Sequence, residues 1–200
     1  MKKILLTSAI VLMTAGAANA VTPYTSVKLG YMYNAIEAFE SGTLTDISKK
    51  FYGFDGFVGS VAGGIAWQAE PFLGLRGELE YSHAKTKLKL LDEKMTLDAN
   101  SVMINGYTDL GDESWKIKPY VGFGAGYSFG SVLIDDDSIN GKGGFVYAGI
   151  IGITYAFDSS FTVDISAKSW VNNDKVSIDG DSLDTKYSGT SFMLGLRYSF

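Results

Sequence analysis

Cysteine is absent from the 200 residues, which excludes a disulfide framework and any metal site with thiolate ligands. Proline is scarce, at three residues, and histidine occurs once. After the N-terminus, no stretch approaches the roughly 20 apolar residues that a membrane-spanning helix needs. Any membrane crossing by this chain would therefore require a closed β-barrel, because only helices and closed barrels satisfy all backbone hydrogen bonds in lipid.

The first 20 residues have the pattern of a secretory signal peptide. Lys2 and Lys3 precede an apolar stretch, and Ala18-Asn19-Ala20 forms a small-x-small cleavage site. We expect cleavage before Val21, so that residues 21–200 form the mature domain; a retained N-terminal anchor is the alternative, for which the apolar stretch is too short. Cleavage leaves 15 basic and 22 acidic residues, and this net charge of −7 disfavours nucleic acid as a partner.

The clearest strand pattern lies at the C-terminus. From Phe192 to Phe200, large apolar or aromatic residues alternate with small or polar ones, and Met193 is the exception. A period of two indicates a strand with one apolar and one polar face. The stripe resembles the signal by which the barrel-assembly machinery recognises bacterial outer-membrane proteins. It comprises Phe192, Leu194, Leu196, Tyr198 and Phe200.

Similar alternation recurs along the chain and predicts eight strands. They cover residues 26–33, 57–68, 73–83, 97–108, 117–129, 145–157, 161–170 and 189–200. The connections alternate between long and short, with the long ones at residues 34–56, 85–95, 131–144 and 172–188. We therefore expect an all-β fold, an eight-stranded antiparallel up-and-down transmembrane β-barrel. A soluble lipocalin-like barrel or a sandwich is the alternative, since composition does not decide which way the apolar stripe faces.

Two motifs resemble a known family. Lys118–Tyr127, KPYVGFGAGY, resembles the fifth strand of the bacterial outer-membrane β-barrel domain family, and Asn105–Gly111, NGYTDLG, resembles the strand and turn before it. That family includes opacity-type adhesins and is similar in form to the transmembrane part of outer-membrane protein A. The resemblance implies a barrel in the bacterial outer membrane, surrounded by outer-membrane lipid. It implies no particular ligand.

Charged residues of the strands share the polar face in this register. They are Lys28, Arg76, Glu78, Glu80, Lys118, Asp164, Lys168 and Arg197. Five cations and three anions inside a narrow barrel should form ion pairs, because an unpaired buried charge is heavily penalised. An eight-stranded barrel is just wide enough for side chains to fill its interior. We interpret these charges as a lumen network that fixes the shape of the barrel, with a gated ion or solute path as the alternative.

Reactive groups are few. Ser82 adjoins His83, but adjacent strand residues point to opposite faces, so no catalytic pair is expected. Asp135-Asp136-Asp137 could bind a divalent cation, yet it lacks the spacing of a calcium loop and is interpreted as a solvated acidic loop. We therefore predict no enzyme activity, no cofactor and no metal site.

Aromatic residues form two predicted belts at the membrane interfaces. The belt near the short turns comprises Trp67, Phe72, Tyr155, Phe157, Tyr198 and Phe200. The belt near the long connections comprises Tyr31, Tyr33, Phe57, Tyr81, Phe129, Phe145 and Trp170.

Three functions follow from an outer-membrane barrel with long connections. The first is a surface interaction protein, similar to an adhesin, whose loops bind a host-cell or extracellular ligand. The second is a structural membrane protein without a ligand, and the third is a porin-like channel for small solutes. Apolar residues in the long connections would serve the first function: Ile36, Phe39, Phe51, Val176, Ile178 and Leu183.

Overall fold

The computed structural model describes residues 21–39, 49–90, 93–112, 114–134, 137–140, 143–178 and 181–200. Within these ranges the strands are β1 Thr22–Phe39, β2 Lys49–Glu70, β3 Leu73–Leu90, β4 Glu93–Leu110, β5 Ile117–Ile134, β6 Asp137–Asn140, β7 Gly144–Ala156, β8 Phe161–Ile178 and β9 Asp181–Ser199. The described residues contain no helix that is long and apolar enough to cross a membrane. The predicted signal peptide lies outside the described residues.

Eight of these strands form a closed barrel. Each pairs antiparallel with its neighbours along the chain, except that β5 is followed in the barrel by β7, and the pairing of β1 with β9 closes the cylinder. The four-residue β6 pairs with the last residues of β5. The predicted eight-stranded antiparallel up-and-down barrel is therefore confirmed.

The period of two decides which side chains face outward. In β4, Ile104 is 71 % exposed on the outer surface, whereas its neighbour Asn105 is 1 % exposed inside the barrel. In β9, Leu194 is 59 % exposed and its neighbour Met193 is 5 % exposed. The apolar stripe thus lies on the outside, which is the reverse of a soluble barrel that buries its apolar side chains.

The strands extend further than predicted at the end opposite the termini, here called the hairpin end. β1 continues to Phe39 and β2 begins at Lys49, within the predicted connection. β8 and β9 likewise continue to Ile178 and from Asp181. These segments lack the strict apolar alternation by which the strands were predicted. Backbone pairing with the neighbouring strand does not require that alternation, so the strands continue. The six apolar residues proposed as contact points lie on these extensions, where side chains are outside the described part of the structure.

Tight turns join the strands at the other end, here called the turn end. Asp158 Oδ1 accepts backbone hydrogen bonds from Phe161 at 2.8 Å and Ser160 at 2.7 Å. The N–H groups of Phe161 and Ser160 hold the pKa of the Asp158 carboxyl below its ordinary value. In the β4–β5 turn, Gly111 has a φ of 129°, and the Trp115 ring packs where a Cβ would lie. Only glycine adopts this conformation without strain.

Candidate functional site: the lumen

Three tyrosines fill the lumen near the turn end. Tyr24, Tyr107 and Tyr120 are 1 %, 3 % and 2 % exposed. They come from the first residues of β1, the last of β4 and the first of β5, which the antiparallel order brings to one end of the barrel. The rings of Tyr107 and Tyr120 meet edge to face, with centroids 5.6 Å apart. Their rings therefore obstruct the lumen on this side.

Arg76 lies among these rings. Its guanidinium carbon is 4.5 Å from the centroid of Tyr107 and 4.7 Å from that of Tyr120, a cation–π arrangement. Arg76 Nε and Nη2 donate to the two carboxylate oxygens of Asp109 at 2.7 and 2.8 Å. Its Nη1 is 3.8 Å from Glu78 Oε1. A planar bidentate pair of this kind is among the stronger polar contacts in proteins.

Glu78 is the most heavily bonded acceptor in the network. It accepts hydrogen bonds from the hydroxyls of Tyr24 at 2.9 Å and Tyr107 at 3.0 Å. Lys28 Nζ donates at 3.3 Å to Oε2, the oxygen that also accepts from Tyr107, whereas Tyr24 donates to Oε1. Buried carboxylates need this many donors, because burial removes the water that would otherwise solvate the charge.

Lys28 lies between two carboxylates. Its Nζ is 3.3 Å from Glu78 Oε2 and 3.9 Å from Glu80 Oε2. Glu80 also accepts a hydrogen bond from Lys168 Nζ at 2.5 Å. Lys28, Arg76, Glu78, Glu80 and Lys168 thus form one connected cluster with Asp109, and its charges balance at three cations and three anions.

The other three residues of the predicted network lie around this cluster. Asp164 accepts a hydrogen bond from the Tyr120 hydroxyl at 2.8 Å. The Arg197 guanidinium lies 5.2 Å from the Tyr24 ring centroid, and its buried Nη1 has no hydrogen-bond partner among the described atoms. Lys118 is half-buried at the turn end of β5.

Sequence reasoning missed Asp109 and the three tyrosines. A signal was present in NGYTDLG, because Asn105, Tyr107 and Asp109 are two residues apart and share one face of β4. The predicted strand ended at residue 108, whereas β4 continues to Leu110, so that Asp109 lies in the strand and its carboxylate reaches Arg76. The motif that identified the family therefore also supplies lumen residues.

An apolar layer crosses the lumen on the hairpin side of the charges. Its buried members are Met32, Val58, Ala84, Met103, Val146, Ala148 and Met193. They form two groups, and Trp170 packs against both. The assignment of Trp170 to the outer aromatic belt was wrong, because it shares the face of β8 that carries Asp164 and Lys168.

Two aromatic pairs from the predicted belts lie on the outer face. Tyr31 and Phe57 have ring centroids 5.5 Å apart near the hairpin end, and Tyr198 and Phe200 are 5.2 Å apart at the turn end. Phe57 and Phe200 are 75 % and 61 % exposed.

Ser82 and His83 point in different directions. Ser82 Oγ is 2.7 Å from Ser101 Oγ, whereas His83 Nδ1 is 3.0 Å from Asn100 Oδ1 and 3.5 Å from Asp98 Oδ1 on the outer face. The predicted strand ended at His83. β3 instead continues to Leu90, so His83 lies within the strand. Two of the three loop aspartates, at positions 135 and 136, lie outside the described residues. No group of three metal-ligating side chains occurs in the part of the chain that the structure describes.

Residues 5–200 match the model of the outer membrane protein beta-barrel domain family. The chain belongs to this family. It is therefore a protein of the bacterial outer membrane, as the sequence motifs predicted. No curated protein sequence matches the chain closely enough to count as a relative.

Solved structures agree on the fold. Neisserial surface protein A, NspA, is 15 % identical, with a TM-score of 0.55 over 88 % of this chain and 97 % of that one. The outer membrane protease OmpT from Escherichia coli is 8 % identical, with a TM-score of 0.50 over 94 % of this chain and 99 % of that one. At such identities the likeness concerns the barrel alone.

Proposed function

We propose that this member of the outer-membrane barrel family is a surface interaction protein, similar to an adhesin, whose lumen is closed to solutes. The observation that carries the proposal is the filled interior, in which Arg76 lies against the rings of Tyr107 and Tyr120 and is paired with Asp109. Such a lumen favours a role for the barrel as a rigid support. The surface left for a ligand is then the hairpin end.

The orientation of the barrel supports this proposal. Outer-membrane barrels have short periplasmic turns and longer extracellular connections. The turn end would accordingly face the periplasm, and the hairpin end would face the outside of the cell. There β1 and β2, and likewise β8 and β9, continue as paired strands beyond the outer aromatic ring pair of Tyr31 and Phe57.

The test is whole-cell binding to host cells or to extracellular matrix, before and after the hairpins are shortened. Asn-Gly would replace residues 36–51 in one variant and residues 175–184 in another, because this dipeptide favours two-residue hairpins and each deletion leaves a paired residue on either side of the new turn. Heat-modifiable migration of the outer-membrane fraction controls for folded barrel. Loss of binding at an unchanged level of folded barrel is expected. Unchanged binding, together with a weakened envelope when the gene is deleted, would favour a purely structural role.

A small-solute channel is the second candidate. Lys28 lies between Glu78 and Glu80, and exchange of its ion-pair partner would be a simple way to rearrange the network. Planar-bilayer recording separates the two functions. The closed lumen predicts no stepwise conductance, whereas conductance that changes in Glu80→Gln would establish a channel.

We also propose that the chain is not an enzyme and needs no cofactor. The divergence of Ser82 and His83 supports this, since a nucleophile and its base must be within hydrogen-bond reach. The exposed apolar outer face is suited to outer-membrane lipid, and the stripe on β9 to the assembly machinery. Nucleic acid remains disfavoured by the acidic net charge.

A further inference from the structure

The cylinder opens at the hairpin end. Pairing of β7 with β8 ends at Phe145 and Asn173, although β8 continues to Ile178. We call residues 174–178 the β8 edge. It pairs with β9 on one side, and no strand of the described residues pairs with its other side. Nearer the turn end, β7 lies between β5 and β8. At the hairpin end β6 takes its place beside β5, but among the described residues β6 does not pair with β8.

Other strands also have open edges at this end, and the β8 edge is the longest regular one among the described residues. The pairing of β2 with β3 ends at Asp55 and Lys87, which leaves residues 49–54 of β2 and the last three residues of β3 open on that side. β2 is interrupted there by a register shift opposite Asn34 and Ala35. β6 has only four residues. The pairing of β8 with β9, in contrast, runs without a shift from Phe161 to Ile178.

Backbone hydrogen bonds show which groups face the opening. The Phe161 carbonyl accepts from the Phe157 N–H at 2.9 Å, so Phe161 points its backbone groups toward β7. In an antiparallel ladder, alternate residues point to the same side. With no shift along β8, the N–H and C=O groups of Lys175 and Ser177 also point to the β7 side, where the described residues provide no ladder partner.

We propose that the β8 edge binds an extended segment of a partner protein outside the cell, which adds to it as an antiparallel strand. This inference rests on the proposed surface function and specifies its mode of recognition. The N–H and C=O groups of Lys175 and Ser177 provide four hydrogen-bonding positions. An extended peptide matches them regardless of its side chains, as in other cases of strand addition. Unpaired edges of regular strands are ready templates for such pairing.

The geometry of the membrane favours another protein over a second copy of this chain. Two barrels in one membrane are related by an axis along the membrane normal, and under this axis both β8 strands run in the same sense along the normal. Antiparallel pairing of two β8 edges would require one barrel to be inverted. Antiparallel pairs are the more stable per residue, so self-association through β8 is the poorer use of this edge.

The matched variants are Ser177→Pro and Ser177→Ala in the full mature chain, reconstituted in lipid nanodiscs. Proline removes an edge-facing N–H but no hydrogen bond to β9, so the barrel should fold normally. Alanine removes the hydroxyl and keeps the N–H. The probe is a fluorescein-labelled octapeptide of alternating threonine and valine. We expect wild type and Ser177→Ala to bind it alike and Ser177→Pro to bind it at least tenfold more weakly. In wild type, amide exchange of Lys175 and Ser177 should slow when the peptide is present.

Three outcomes would overturn the proposal. Equal binding by both variants would place the peptide elsewhere, and no binding at millimolar peptide would show that the edge is not a receptor for strands. A concentration-dependent dimer that Ser177→Pro dissociates would make a second copy the occupant. If cells nevertheless bind host material through the hairpins, the proposed surface function stands and only its mode of recognition fails.

Discussion

Arg76 and Asp109 form a bidentate ion pair across β3 and β4, with donor–acceptor distances of 2.7 and 2.8 Å. The Arg76 side chain is 2 % exposed and that of Asp109 is 14 % exposed. The rings of Tyr107 and Tyr120 lie against the guanidinium, so the pair links two strands within a cluster of buried aromatic side chains.

Arg76→Ala should destabilise the barrel more than Arg197→Ala. The first substitution leaves the Asp109 carboxylate without its buried partner, a change that typically costs about 3–5 kcal/mol. Arg197 lies over the Tyr24 ring, and a desolvated cation–π contact contributes about 2 kcal/mol. Urea unfolding from lipid vesicles measures both. The double variant Arg76→Ala, Asp109→Ala is the control and should recover part of the loss; equal effects of the two single variants would contradict the pairing.

Trp170 should be shielded from lipid. The chain has three tryptophans, so single-tryptophan variants are made by two replacements with phenylalanine. Because Trp170 packs against lumen residues, brominated phospholipids should quench its fluorescence weakly. The Trp67 variant is the matched control and should be quenched strongly, since Trp67 lies on the outer face of β2. Similar quenching of both would place Trp170 on the outside.

Deletion of Phe200 should impair assembly more than the stability of the finished barrel. The Phe200 ring is 61 % exposed at the turn end, and it ends the stripe that resembles the assembly signal. Cells should contain less heat-modifiable protein in the outer membrane and more precursor in the periplasm. The purified chain should still refold in detergent. Phe200→Tyr, which keeps an aromatic ring, should assemble normally; wild-type membrane levels of the deletion variant would refute the signal.

Asp158 should stabilise the β7–β8 turn in a pH-dependent way. Its pKa is lowered by hydrogen bonds from Phe161 and Ser160, so the folded state favours the carboxylate. The stabilisation is present above the pKa of the unfolded chain and is lost as the pH falls through the lower folded value. Titration of the carboxyl by NMR should show the lowered pKa. Asp158→Asn should retain the turn and remove this part of the pH dependence of unfolding, and an ordinary pKa would argue against the hydrogen bonds.

The signal peptidase should cleave between Ala20 and Val21. The reason is the small-x-small sequence Ala18-Asn19-Ala20 after the apolar stretch. N-terminal sequencing of the outer-membrane protein should begin at Val21. Replacement of Ala18 and Ala20 by leucine should leave the precursor uncleaved. Outer-membrane material that begins at Met1 would exclude export by this route.

Sequence alone determined the features that depend on local alternation. The period of two in β9 assigned Leu194 to the apolar outer face, and eight such segments separated by alternating short and long connections predicted the barrel. This works because successive side chains of a strand must point to opposite sides, whatever the strand pairs with. The weakness of the same pattern beyond the membrane band explains why the strand extensions at the hairpin end were predicted as loops.

Only the tertiary structure decided which inner residues meet. Arg76 pairs with Asp109 and Lys168 with Glu80, although 33 and 88 residues separate these partners along the chain. The packing of Trp170 against both buried apolar groups likewise became visible only in the closed barrel. Such contacts depend on the stagger between strands and on closure of the cylinder, which combine all eight strands. Alternation within one strand therefore determines the face of a side chain, whereas register and closure determine its partner.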